Sequence, residues 1–375
     1  MTGNVVYLYA YDIAYEANLA AIEKKMLGAV ERFRLGHVKD APRDFPLYRS
    51  LVLQTEDVRL EGPHGPVTLS TTIKLFSVGA ISVTVRVPVA CQRITDLVAF
   101  RDLRFQDNTT LDDRVREIVQ RLLETVRLQL DTPVAALTLP EVYTIFCLDT
   151  PLTETPADAG ASSSEPMEEW LRRNAREVAA VLDGETDAAC LSDQEVQDTM
   201  KYKYSYYQHD LAVLDWDAAL LVDTPEGRQD TLYILEVANL QLEELKGYDA
   251  ELDGVLDKAY DDVQAVARPH AFRQRKRVLA NLREIRMDLT KVADELSNIT
   301  KFIGDWHLAR IYMGCAARFH LSEWEDIVNQ KLRTLDGLYI ILQQDGMNRA
   351  MLLLEMSIVA LFVIDLVIIV VLGIK

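Results

Sequence analysis

Two carboxylates, Glu355 and Asp365, stand inside the most apolar stretch of this chain, LLLEMSIVALFVIDLVIIVVLGIK from Leu352 to Lys375. An acid among aliphatic side chains can hold a proton, bind a cation or meet a partner helix, and each use requires that it face away from lipid. At about 1.5 Å of rise per residue, Leu352 to Ile374 reaches about 35 Å, against a hydrocarbon thickness of about 30 Å. A membrane crossing is therefore expected over 351–374. Asp365 would sit near mid-bilayer at a cost of about 2.5 to 3.5 kcal/mol, which the seventeen Leu, Ile, Val and Phe of the run offset at about 0.3 to 0.6 kcal/mol each. The two acids lie about 80° apart around a helix, so one broad face can hold both. Either that face is an assembly interface between tails, or Glu355 snorkels to the surface and Asp365 is tolerated.

A second cluster is basic. Residues Arg268 to Arg286, RPHAFRQRKRVLANLREIR, hold seven Lys and Arg in 19 positions of an otherwise acidic chain. Arg273, Arg275, Lys276 and Arg277 would oppose the dipole of the helix that begins there, so helix stability does not explain them. They are a candidate patch for an anionic partner such as RNA, a ribonucleoprotein or lipid head groups; the competing reading is a solvated face paired with Asp257, Asp261 and Asp262 of the preceding helix.

Other residues offer less. Tyr202, Tyr204 and Tyr206 alternate as on one strand face, and sheet packing is the expected use, with base stacking as the alternative. Asp215-Trp216-Asp217 suggests a metal or acid–base cluster only along the sequence; on a strand the two aspartates would share a face with Trp216 opposing them as core and as a turn pair, and a structural role is the expected one. None of the histidines has ligand spacing, and the chain lacks a glycine-rich phosphate loop, a nucleophile elbow and a dinucleotide fingerprint. Cys315 and His320 are five residues apart on an expected helix and do not share a face. No catalysis, cofactor or metal is expected.

The elements that would position these residues are legible in the periodicities. A strand at Val5 to Ala10 leads into a helix at Ala14 to Phe33, then a meander at Ser50–Val58, Val67–Phe76 and Ile81–Val89, a helix at Leu111–Leu130 and a strand at Val142–Leu148. This is an N-terminal α+β unit, 1–149. Residues 150–166 are small and polar and read as a linker. A second small α+β unit, 167–227, has a helix and short strands at Tyr202–Tyr207, Leu211–Leu214 and Ala218–Val222. From 228 to 346 the chain is helical. Leu235, Ala238, Leu242, Leu245, Leu252, Leu256 and Ala259 follow steps of three and four, interrupted only by Asp249 where another apolar residue is due, and the pattern resumes from Val278 to Ile303 beyond Pro269. That spacing predicts a long antiparallel hairpin turning at Arg268-Pro269-His270, with coiled-coil seams. A last helix, Glu323 to Gln343, leads through Asp345-Gly346 into the apolar segment.

The totals are compatible with this organisation. The 375 residues carry a net charge of -18, which opposes general attraction to nucleic acid or anionic lipid, so any anionic partner must meet a local patch. Four isolated cysteines suggest a reducing compartment. The N-terminus enters a strand pattern at once, without signal or transit character, and Arg349 stands at the start of the apolar run. A tail anchor in the cell's inner membrane, single-pass with the bulk of the chain cytoplasmic, is expected.

Three stretches resemble the "required for meiotic nuclear division" family, a domain family of unknown function. They are the Trp216 strand followed by LEVANLQLEELKGYDAELD with Glu236 and Gln241, the segment FIGDWHLARIY with Asp305, Trp306 and Arg310, and the apolar tail with an acid near each end. The resemblance covers about 200–375 well and the N-terminal unit more loosely. It implies a prokaryotic member of a membrane-associated family, some of whose eukaryotic members act as homo-oligomers at the mitochondrial inner membrane in support of organellar translation. The residues and the resemblance together predict an α+β protein that is a homo-oligomeric, tail-anchored scaffold or tether, with itself, the lipid bilayer and an unknown protein or ribonucleoprotein as partners. An ion-conducting assembly of the tails and an unrecognised cytoplasmic hydrolase are the alternatives.

Overall fold

A computed structural model describes residues 1–29, 34–35, 50–62, 65–134, 136–149, 166–266 and 305–373. The class is α+β. The strands are β1 (Thr2–Asp12), β2 (Ala14–Ala17), β3 (Arg34–Leu35), β4 (Ser50–Gln54), β5 (Val58–Gly62), β6 (Gly65–Phe76), β7 (Ala80–Ala90), β8 (Leu130–Pro133), β9 (Glu141–Leu148), β10 (Tyr202–Tyr204), β11 (Leu211–Leu214) and β12 (Ala218–Val222). The helices are α1 (Leu19–Ala29), α2 (Leu111–Val126), α3 (Met167–Asp183), α4 (Asp193–Thr199), α5 (Arg228–Val266), α6 (Trp306–Arg318) and α7 (Leu321–Gly373). The helix read from Ala14 starts later, because Ala14–Ala17 pairs with β8 as a small second sheet.

One large sheet runs in the order β10-β11-β12-β9-β1-β7-β6-β4-β3, with β5 also paired to β6. Its pairings are antiparallel except β12 on β9, which run parallel. The strands expected as a separate sheet between 202 and 222 do form, but they continue the first sheet through that parallel pairing. Both β9 and β12 are apolar on successive residues, IFCL and AALLV, because they are covered on both faces.

The alternation along β1 shows how the layers arise. Val5, Tyr7, Tyr9 and Tyr11 face one side, where Val87, Val85, Val83 and Ile81 of β7 stand opposite them and α2 and α3 supply Val115, Val119, Leu122, Val178 and Val181. Tyr7 donates to the Phe100 carbonyl, and Tyr9 donates to Asp112 Oδ1 at 2.8 Å. Helix α2 begins with a reciprocal cap between Thr110 and Asp113 and buries five apolar residues. Gly184 ends α3 at φ 74°, a left-handed turn that costs glycine little.

The other face of the sheet carries Leu8, Lys74, Ser82, Tyr143 and Leu214, and it receives the first half of α5 together with α6. Tyr143 and Phe319 meet edge to face at 5.0 Å. The chain divides into two compact units, Met1–Gly247 with Glu295–Trp324, and Tyr248–Asp294 with Glu325–Lys375. In the second unit Leu252, Leu256 and Ala259 of α5 and Val328 and Leu335 of α7 are buried within a single chain. Lys331 of α7 pairs with Asp249 and Asp253 of α5, each at 2.6 Å. The expected turn at Arg268-Pro269-His270 and the second arm from Val278 lie outside the described residues. Helix α7 runs from Leu321 to Gly373 without interruption, so no break falls at Asp345-Gly346. A single glycine in a long helix costs only about 1 kcal/mol, and the i to i−4 ladder carries through it.

Candidate functional site

The tail meets the physical requirement for a span. Met351–Val370 is a 20-residue apolar helix, none of it buried within the chain. Glu355 and Asp365 are both exposed on it, and Ser357 folds its hydroxyl back onto the Leu354 carbonyl at 2.7 Å. The structure places the two acids on one helix, exposed, and among the described residues no side chain is brought to them. Arg273, Arg275, Lys276 and Arg277 lie outside the described residues.

The residues of the family-like stretches do several different jobs. Glu236 reaches down from α5 to a cross-strand pair, accepting from Lys74 of β6 and from Ser82 of β7, the latter at 2.6 Å. One helical face below it continues the polar stripe: Asn239 donates to the Glu141 carbonyl at 3.2 Å and Lys246 pairs with the Glu141 carboxylate. Between them Glu243 is buried. Desolvation first, and then the negative charge of Glu141, push its carboxyl up to about 7. On the side toward α6, Gln241 accepts from the Tyr312 hydroxyl at 2.6 Å. Asp305 caps α6, accepting from the backbone N–H groups of His307 and Leu308 at 2.7 and 3.3 Å. Arg310 stacks its guanidinium 5.5 Å from the Tyr204 ring, which packs where a Cβ on Gly314 would collide. Trp306 is 74% exposed.

The reading of Asp215-Trp216-Asp217 is corrected. These residues form the reversal between β11 and β12, closed by Asp215 N–H donating to the Ala218 carbonyl at 2.8 Å. A reversal sends the flanking side chains apart. Asp215 is buried and receives the Arg318 guanidinium of α6 at 2.7 Å from Nε, while Asp217 pairs with Arg101. Trp216, expected in the core, is 56% exposed and lies 5.4 Å from the His320 ring. Arg318 also reaches Asp198 of α4 at 3.0 Å. Asp183, at the end of α3, shares a hydrogen bond with Asp215; burial and that neighbouring charge raise its carboxyl to about 7. Sequence reasoning missed this acid and arginine cluster because its members come from four separated elements. Of the three tyrosines, Tyr202 and Tyr204 belong to β10, and Tyr206 lies beyond it on an exposed turn.

Two observations bear on chemistry. Cys315 is fully buried and its thiol is pushed up by desolvation, so it carries no thiolate at neutral pH. Among the described residues no group of three or more His, Cys, Asp or Glu is placed to hold a metal.

The geometry defines an α+β sheet domain followed by a long helix whose end can cross a bilayer. Within that class, the chain belongs to the family described as "Uncharacterized protein MJ0711, N-terminal domain", whose model matches residues 2–229. That match holds all twelve named strands and stops where α5 begins. Uncharacterized protein MJ0711 of Methanocaldococcus jannaschii is 22% identical over 231 residues, 60% of this chain. The chain spans 65% of the length of that relative. No solved structure matches.

Proposed function

We propose that the protein is a membrane-anchored scaffold or tether that assembles with copies of itself through its apolar tail. The observation that carries this reading is the Met351–Val370 helix, exposed along its whole length and holding Glu355 and Asp365. In water such a surface would aggregate, and in lipid its backbone is satisfied within the helix. The acids supply the reason for assembly, since a helix partner shields them where lipid cannot. The resemblance to the "required for meiotic nuclear division" family supports membrane association and a homo-oligomer. Arg349, at the start of the span, favours a cytoplasmic placement of the sheet domain.

The test is fractionation of the full chain expressed in a bacterial host. The anchored protein stays with the membrane through alkaline carbonate extraction, and a Val359→Arg, Val363→Arg variant is released. A full chain that is extracted by carbonate, or a variant that is not, removes the anchor from the proposal.

A further inference from the structure

A cleft of about 440 Å³ opens where the first turns of α5 and α6 approach the ends of β11 and β12. Its floor is apolar, formed by the buried Leu221, Val222 and Ile311, and its walls carry the carboxylates of Asp210, Asp223, Asp230 and Asp305. Three of these carboxylates have local duties. Asp210 accepts from the Tyr206 and Tyr207 backbone N–H groups, Asp223 from Thr224 N–H at 2.6 Å, and Asp305 caps α6. A carboxylate has about four acceptor positions, so each keeps capacity for a donor arriving through the cleft.

The charge balance decides what kind of donor. Arg228 is the lining cation; it is 5% exposed, its Nη2 lies 2.9 Å from Asp149 and its buried Nη1 has no hydrogen-bond partner, so it sets one positive charge against four wall carboxylates. The two helix N-termini each contribute about half a positive charge, well short of four carboxylates. Burial first, and then the charge of Asp210, hold the Asp223 carboxyl above its usual range against the lowering effects of the Thr224 N–H and Arg228. The aromatic rings add to the same preference. Tyr206 and Tyr207 are exposed and packed edge to face at 4.7 Å, His307 is 5.4 Å from Tyr206, and its buried Nδ1 has no hydrogen-bond partner. Ring faces beside carboxylates favour a cation.

We propose that this cleft docks a lysine or arginine side chain presented by a basic segment of a partner protein. The alkyl stem would lie on Leu221 and Val222, and the cation would sit between the wall carboxylates and the tyrosine rings. A protein partner is favoured because exposed tyrosines beside an open cleft are the composition of a protein interface, and the chain's net charge of -18 steers a basic surface toward it. Every residue involved lies in the unit Met1–Gly247 with Glu295–Trp324, so the inference does not rest on the membrane reading.

The experiment uses the full chain in detergent micelles and a fluorescein-labelled decapeptide of Lys, Arg and Ser, followed by anisotropy at about 0.15 M salt. Saturable binding is expected. Asp230→Lys should weaken it about tenfold and Tyr207→Ala about fivefold, both exposed positions at which folding is readily preserved, while Glu124→Lys, the same charge change on α2, leaves it unaltered. Equal weakening by Asp230→Lys and Glu124→Lys would reduce the effect to the general field of an acidic protein and overturn the site. Spermidine saturating the cleft at lower concentration than the peptide would assign it to a small amine instead. A dimer of the full chain that Asp230→Lys dissolves would assign it to a second copy, and either result overturns the proposal.

Discussion

Lys74 on β6 and Glu236 on α5, 162 residues apart in the chain, form an ion pair whose side chains are only 15% and 5% exposed. With Ser82 on the neighbouring strand, the pair fixes the first half of α5 over the sheet. Removing one partner strands the other in a buried site. Lys74→Met is expected to destabilise the first unit by about 3 to 5 kcal/mol, and the double variant Lys74→Met, Glu236→Leu by much less, as read from urea unfolding followed by tyrosine fluorescence.

The buried Glu243 makes stability depend on pH. Its folded carboxyl titrates near 7, above the ordinary value of 4.5, so the folded state holds the proton more tightly. Its favourable contribution is complete below about pH 4.5 and is lost as pH rises through 7. Glu243→Gln should therefore stabilise the protein by on the order of 2 kcal/mol at pH 8 and leave it unchanged at pH 4, measured by chemical denaturation at both.

Arg318 joins three elements, meeting Asp215 of the reversal and Asp198 of α4 from its place at the end of α6. Arg318→Met leaves Asp215 buried with its charge uncompensated, at an expected cost of about 3 kcal/mol. Adding Asp215→Asn should recover at least half of that. Thermal unfolding of the two variants reads both effects.

The cysteines should differ in reactivity. Cys147 and Cys315 are buried, and burial raises the Cys147 thiol to about 12, whereas Cys190 is exposed and donates to Asp187 at 3.3 Å. A maleimide at pH 7.5 is expected to label Cys190 in the folded chain and to leave Cys147 and Cys315 unmodified until denaturant is added. Asp187→Asn removes the neighbouring negative charge that raises the Cys190 thiol and should accelerate its labelling several-fold, read by mass spectrometry.

For the tail, Asp365→Leu is expected to weaken self-association about tenfold, about 1.4 kcal/mol, seen as a loss of crosslinked oligomer in native membranes. An unchanged oligomer would leave the acid with no part in assembly.

The parts of this fold that follow from neighbours in sequence are legible in the chain. Hydropathy locates Met351–Val370, alternation locates β6 and β7, and an apolar run locates β9, each strand to within a few residues. What joins distant segments is harder to see. The parallel pairing of Ala218–Val222 on Thr144–Leu148 leaves no local mark, although two unbroken apolar runs of strand length do signal burial on both faces. The polar stripe Glu236, Asn239, Glu243 and Lys246 recurs at helical spacing and looks like a solvated face until the sheet beneath it supplies Lys74, Ser82 and Glu141. Trp216 misleads for the opposite reason, since a large apolar ring is expected inside and a tight reversal turns it outward.

Because α7 is continuous, its residues keep fixed azimuths around one axis. Taking Lys331, which faces α5, as the zero of rotation, Glu355 stands about 120° away in one sense and Asp365 about 160° away in the other. The acid-bearing side of the tail thus points nearly opposite to the side of α7 that faces the described part of α5, and a helix that met those acids would approach from the side away from α5. One alanine inserted after Gly346 would turn the acids by about 100° and lift them by about 1.5 Å, which makes the helix a torsion shaft whose phase can be reset one residue at a time.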